Sequence, residues 1–185
     1  MRISTMSVLM SLALAAPAYA AAQAGRVPEQ FVVIGKAADD LKDYNSINSA
    51  TAEKLAQTCF DIIRREANAP SATVVIINPA GLVVHQHSKD GQAYTSIKIT
   101  ENKAMTALRM REPTINLTRA VVDDVQQLIR YDQIGLLATQ AGGVPIVVNG
   151  QLIGAMGIGG FAGGERYHTI AVQCLDAIFG PQPQR

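Results

Sequence analysis

The chain of 185 residues has no tryptophan, and aromatic residues make up only 5% of it. This is too few to build a stacking platform for nucleic-acid bases. No charge excess of either sign is present, with 16 basic against 15 acidic residues. A balanced surface offers no electrostatic footprint for nucleic acid or an anionic membrane. Histidine occurs three times and cysteine twice. No C-x-x-C-H stands in the sequence, which excludes covalent c-type haem. Gly-x-Ser-x-Gly, His-Glu-x-x-His and the P-loop pattern are also missing. The glycines after Gly157 follow a hairpin strand at the wrong spacing for a dinucleotide fingerprint, so NAD is not expected. Asp123 and Asp124 are adjacent on a helix, point different ways and do not make an acid–base pair. No catalytic constellation emerges.

The N-terminus reads as a secretory signal peptide over residues 1–20. Arg2 is the positive region, Met6 to Pro17 a short apolar core and Ala18-Tyr19-Ala20 a cleavage site. The apolar core is shorter than the roughly 20 residues a membrane span needs. Cleavage leaves a chain of 165 residues with 15 charges of each sign, exported to the periplasm or secreted, with no membrane attachment expected. Residues 21–45 show no period and read as a loosely held arm. Residues 46–180 read as a single domain and 181–185 as a tail.

Asn48 is placed to cap a helix running to about Ala67, with Ala52, Leu55, Ala56, Cys59, Phe60 and Ile63 on one stripe and Asn68 to Pro70 ending it. Thr73 to Ile77 is a β-branched run and reads as a buried strand. Asn78-Pro79-Ala80-Gly81 is a turn, Leu82 to His87 the returning strand, and Asp90-Gly91 closes the unit. A helix over Thr95 to Met110, with Ile97, Glu101, Ala104 and Leu108 on one face, ends before Pro113. Asn116 is read as the cap of another helix to about Arg130, with Leu117, Val121, Val125, Leu128 and Ile129 apolar. Asn116-Leu117-Thr118 is a formal glycosylation sequon inside that helix. A short strand near Leu136 to Ala138 follows. Asn149-Gly150 between two apolar runs is a strong hairpin signal. The second strand, Leu152 to Gly157, leads into a stretch with five glycines from Gly157 to Gly164, and then a helix opening at Glu165. The order predicts an α+β fold with a five-stranded, mainly antiparallel sheet flanked by helices.

His85 and His87, two apart on a strand, share a face. They are placed to chelate a metal or approach a haem iron, or to form the polar outer face of a hairpin. His168 falls on the stripe of Ala171, Val172, Leu175, Ile178 and Phe179. It reads either as a satisfied core histidine or as an iron ligand beside the glycine loop. Imidazole is the commonest neutral ligand of haem iron, which makes His168 the first candidate and His87 the second. Lys103 reads as an anchor for a neighbouring carboxylate or carbonyl. Cys59 and Cys174 lie on the first and last helices, and read either as a disulfide or as two small buried apolar residues.

Three segments carry a resemblance. Asn78 to Gly91 resembles the pattern D-x-G-G-x-L-V-x-x-x-R-M-D-G, and Lys103-Ala104-Met105-Thr106-Ala107 matches K-A-x-T-A. Gly142-Gly143-Val144-Pro145-Ile146, with Ile153 to Gly160, matches G-G-V-P-[IL] and [IV]-G-A-[IM]-G-[VI]-S-G-G. Asn78-Pro79-Ala80, Ser88-Lys89 and Gly159 depart from the pattern. The chain resembles the GlcG/HbpS family, which includes the C-terminal domain of PduO corrinoid adenosyltransferases. That resemblance implies a five-stranded antiparallel sheet with profilin-like layering, homo-oligomers, and b-type haem in several members. Haem storage, degradation or iron sequestration is implied for exported ones. It places Gly142, Gly143, Gly159, Gly160 and Lys103 at a cofactor. The alternative expectation is a non-catalytic small-molecule-binding or accessory protein of a redox or catabolic system. Corrinoid binding is a third reading, which an exported chain disfavours.

Overall fold

The computed structural model describes residues 45–66, 72–133, 135, 138–161 and 163–182. The expected signal peptide, the segment 68–70 and most of the expected N-terminal arm lie outside them. The elements are α1 (Ser49–Glu66), β1 (Thr73–Ile77), β2 (Val83–Ser88), α2 (Tyr94–Met110), α3 (Thr114–Val121), α4 (Val125–Gln133), β3 (Gly143–Val148), β4 (Gln151–Gly159) and α5 (Glu165–Phe179).

Asn48 caps α1 as its sequence position implies, its Oδ1 accepting from the Thr51 N–H at 2.9 Å. Asn78 works twice in the first hairpin. Its carbonyl accepts from Gly81 N–H and its Oδ1 from Leu82 N–H, both at 2.9 Å. In the second hairpin Asn149 and Gly150 both take positive φ, 51° and 79°, which the two-residue turn requires.

The described residues form a sheet of four antiparallel strands, in the order β2-β1-β4-β3. The sequence predicts five strands, the fifth near Leu136 to Ala138, of which residues 136 and 137 lie outside the described residues and Ala138 is not in a strand. The Ala138 N–H donates to Thr106 Oγ1 at 3.1 Å.

Two layers of helix cover the sheet. On one face Val74, Ile76, Val144, Ile146, Met156 and Ile158 pack against α1 and α5. On the other, Val75, Ile77, Leu152 and Ala155 pack against Ala104, Ala107 and Leu108 of α2. The buried side of α2 also carries Thr100, Lys103 and Thr106, while Ile97 and Glu101, expected on that face, are only half-buried.

The single helix expected from Asn116 is two. Pro113, with its fixed φ, precedes the first helix, so α3 starts before Asn116. Asp124 Oδ1 then accepts the Gln127 N–H at 3.0 Å and caps α4. An Asp that can cap a new helix breaks the old one, and α4 turns away from the core. None of its residues is buried, and Val125, Leu128 and Ile129 are exposed together with Val122. The half-buried Asn116 sequon residue lies within α3 and Leu117 after it is buried.

Cys59 and Cys174 form a disulfide between α1 and α5, with Cα atoms 5.2 Å apart. Both cysteines are fully buried, and Cys59 Sγ lies 3.5 Å from Met156 Sδ.

Candidate functional site

The glycines singled out in the sequence surround α2. Gly157 and Gly159 lie in β4, which runs two residues past its expected end. A Cβ on Gly157 would fall on the Thr100 carbonyl, and one on Gly159 on Thr100 Oγ1. A Cβ on Gly143 would overlap the Lys103 carbonyl and meet Thr114 Cγ2 at 2.8 Å. The missing side chains thus let the backbone of a helix lie directly on a sheet. Gly143 is held there by its N–H, which donates to Thr114 Oγ1 at 2.9 Å. Gly142 has φ 116°, and a Cβ there would stand 2.6 Å from the Ile158 carbonyl and 2.8 Å from Tyr167 Cβ. Gly160, at φ 91°, abuts the Gln92 side chain.

Lys103 sits at the centre of this packing, 1% exposed. Its Nζ donates to the Ile158 carbonyl at 3.2 Å and lies 4.0 Å from the centroid of the Tyr167 ring. The carbonyl anchor expected from the sequence is therefore found. Burial pulls the Lys103 pKa down to about 8, although the ring face and the carbonyl both favour the cation. Tyr167 also pins the glycine loop. Its hydroxyl donates to the Phe161 carbonyl and accepts the Phe161 N–H, and the two rings meet edge to face at 4.7 Å. Sequence reasoning missed Tyr167. The buried stripe of α5 is Tyr167, Ile170, Ala171, Cys174 and Leu175. A period started one residue earlier would have found it.

That offset moves His168. It is half-buried at the flank of the stripe, not in it. It lines a cavity of about 160 Å³ between α3, β3 and α5, with Arg119, Val144, Pro145 and Val172 among the walls. Its Nδ1 is buried with no hydrogen-bond partner. Desolvation, and after it the Arg119 cation, hold its pKa below the usual imidazole value, while Glu165 opposes them. Arg119 pairs with Glu165 at 2.6 Å.

His85 and His87 do share a face. They pair with Ile76 and Val74, whose side chains point toward α1 and α5. His87 is exposed and stacks on Phe60 of α1, ring centroids 4.1 Å apart. Neither His85 nor His87 comes near His168 in the fold's layout: the pair occupies one sheet edge, and the cavity abuts β3 at the other. Among the described residues no three His, Cys, Asp or Glu side chains gather as metal ligands. None of the described helices is long and apolar enough to cross a membrane.

Comparison with known proteins agrees with this architecture. The chain is 32% identical over 119 residues to an uncharacterized 15.0 kDa protein from the dhaT-dhaS intergenic region of Citrobacter freundii, covering 62% of this chain and 80% of that one. It superposes on Klebsiella pneumoniae protein ORFY with a TM-score of 0.65 at 23% identity, over 82% of this chain and all of that one. Streptomyces reticuli HbpS, as a double mutant, gives 0.64 at 20% identity, over 80% and 95%. A PduOC:haem complex gives 0.63 at 22% identity, over 72% and 95%. At such identities the structural likeness is one of fold. The model of the HbpS-like haem-degrading protein family matches residues 47–176, nearly the whole described domain, and the chain belongs to that family.

Proposed function

We propose that this protein binds b-type haem non-covalently at the exposed β2 edge of the sheet, beside α1, with His87 as iron ligand. The reading rests on family membership joined to one observation: His87 is an exposed imidazole backed by the Phe60 ring at 4.1 Å. An exposed ring of fixed plane leaves room for a flat macrocycle and loses little freedom on coordinating. His168 fits less well. Its cavity of about 160 Å³ is roughly half the lower end of ordinary ligand pockets. A ligating histidine also normally donates its second nitrogen to an acceptor, and Nδ1 of His168 has none.

Bound haem would supply iron redox chemistry. The chain's part is to hold and shield it. His87 lies exposed at a sheet edge, so a second copy of the chain is needed to complete the pocket, as a homo-oligomer would. The exposed patch of Val122, Val125, Leu128 and Ile129 is a second apolar surface for assembly, apart from β2. In an exported protein this amounts to haem storage, turnover or iron sequestration. Haem degradation is an extension of the same reading.

Titration of the isolated protein with hemin tests it. A saturable Soret shift is expected in wild type and in H168A, and its loss in H87A. If H87A, H168A and the double variant all keep the wild-type band and affinity, neither histidine ligates iron. Featureless partitioning of hemin in wild type would favour the second reading, a non-catalytic small-molecule-binding or accessory protein of a redox or catabolic system. The small cavity at His168 favours that reading.

A further inference from the structure

The cavity between α3, β3 and α5 has its own size and chemistry. At about 160 Å³ it matches the roughly 150 Å³ that accommodates a benzene-sized molecule, and it is far too small for a macrocycle. Its walls are apolar at Ile115, Val144, Pro145, Val172 and Leu175. Four polar side chains interrupt them: Asn116, Arg119, His168 and Gln182. Arg119 gives one amino group to Glu165, and a guanidinium carries five N–H donors in all. The His168 ring forms part of the wall beside it, with its Nδ1 wholly buried. Spare guanidinium donors beside an apolar floor suit a small anion with a short carbon chain.

We propose that this cavity binds a small organic acid of about six heavy atoms, its carboxylate on Arg119 beside the His168 ring and its short carbon chain against Val144 and Val172. The Arg119–Glu165 pair stands at the rim. Both side chains are largely exposed, 63% and 73%. The Arg119 fork can therefore turn toward the cavity without disturbing the core. The site goes beyond haem binding and does not depend on it.

Butyrate has the size and chemistry required, and butyramide is its neutral isostere. Haem-free protein carrying isotope-labelled histidine and valine is titrated with each and followed by NMR. Butyrate is expected to give saturable shifts in the His168 ring and in the Val144 and Val172 methyls. It should also raise the pH at which His168 protonates, because a bound anion favours the imidazolium. Butyramide should bind roughly tenfold or more weakly, the worth of a charge-assisted pair. R119Q should abolish that preference, and V172F should block both ligands by filling the cavity. Equal shifts with butyrate and butyramide, or shifts confined to exposed residues, overturn the proposal. Hemin titration of the same samples reports on the other site, so either reading can fail while the other stands.

Discussion

Lys103 and Tyr167 belong to helices that cover opposite faces of the sheet, yet the Lys103 ammonium lies 4.0 Å from the centre of the Tyr167 ring. The contact passes the end of the sheet at Gly142 and Gly159, where a Cβ would stand 3.4 and 3.8 Å from Lys103 Nζ. The glycines therefore join two helical layers through one side chain.

A pH dependence follows from the Lys103 burial. Its pKa is about 8 in the folded chain against 10.5 in the unfolded one. Between these values the unfolded chain holds the extra proton, so stability rises with pH across that window and is lost as pH falls back through 8. The full change is on the order of 3 kcal/mol. Urea unfolding at pH 7.5 to 10.5 should show this rise in wild type and a flatter profile in K103M. Parallel profiles would remove Lys103 as its source.

Gly143→Ala places a methyl group on the Lys103 carbonyl. Backbone cannot yield as a side chain can, so the loss should be about 3 kcal/mol, at the upper end for overpacking. Thermal unfolding without haem should show a clear drop in Tm. An unchanged Tm with weakened haem binding would mean that Gly143 serves a ligand instead.

The Cys59–Cys174 disulfide closes a long loop, with a sequence separation of 115 residues. Replacing both cysteines with alanine should cost roughly 2–5 kcal/mol. Denaturant unfolding of the variant against wild type measures the cost, and intact mass before and after reduction confirms the bond.

Val125 is 68% exposed on a helix that buries none of its residues. If a second copy covers it, V125E should shift light scattering from an oligomer toward a single-chain mass while leaving the circular dichroism spectrum unchanged. A wild-type monomer would remove the assembly reading.

Export is tested by intact mass. The protein recovered from cells is expected to begin near Ala21 and to be found in the periplasm. Recovery of the chain with Met1 intact from the cytoplasm would contradict it.

Much of the fold could be read from local chemistry. Asn48, Asn78 and Asn149-Gly150 each act within a few residues, so their turns and caps follow from type and position. The first strand carries its β-branched run, Thr73 to Ile77, openly. The α3–α4 break was hidden because Asp124 as a cap and Asp124 as a solvated helical residue look the same in sequence. Tyr167 and His168 are neighbours, and a one-residue error in phase exchanged the core residue for the flanking one. Gly142, Gly143 and Gly159 show that a pattern rich in glycine announces close approach without saying what approaches. Here it is Lys103, Thr100 and Tyr167. The His168 cavity was not legible at all, since Arg119 and Val144 meet it only through tertiary packing.

The bond between Cys59 and Cys174 joins the first helix of the domain to the last. The chain between them is a closed ring. A single cut by a protease in any loop from β1 to α5 would leave two pieces still covalently attached, running as one species until reductant is added. During synthesis the ring can close only after the final helix has emerged. The domain thus acquires its covalent lock as its last event, when nearly all of the sheet that the lock secures is already available to fold.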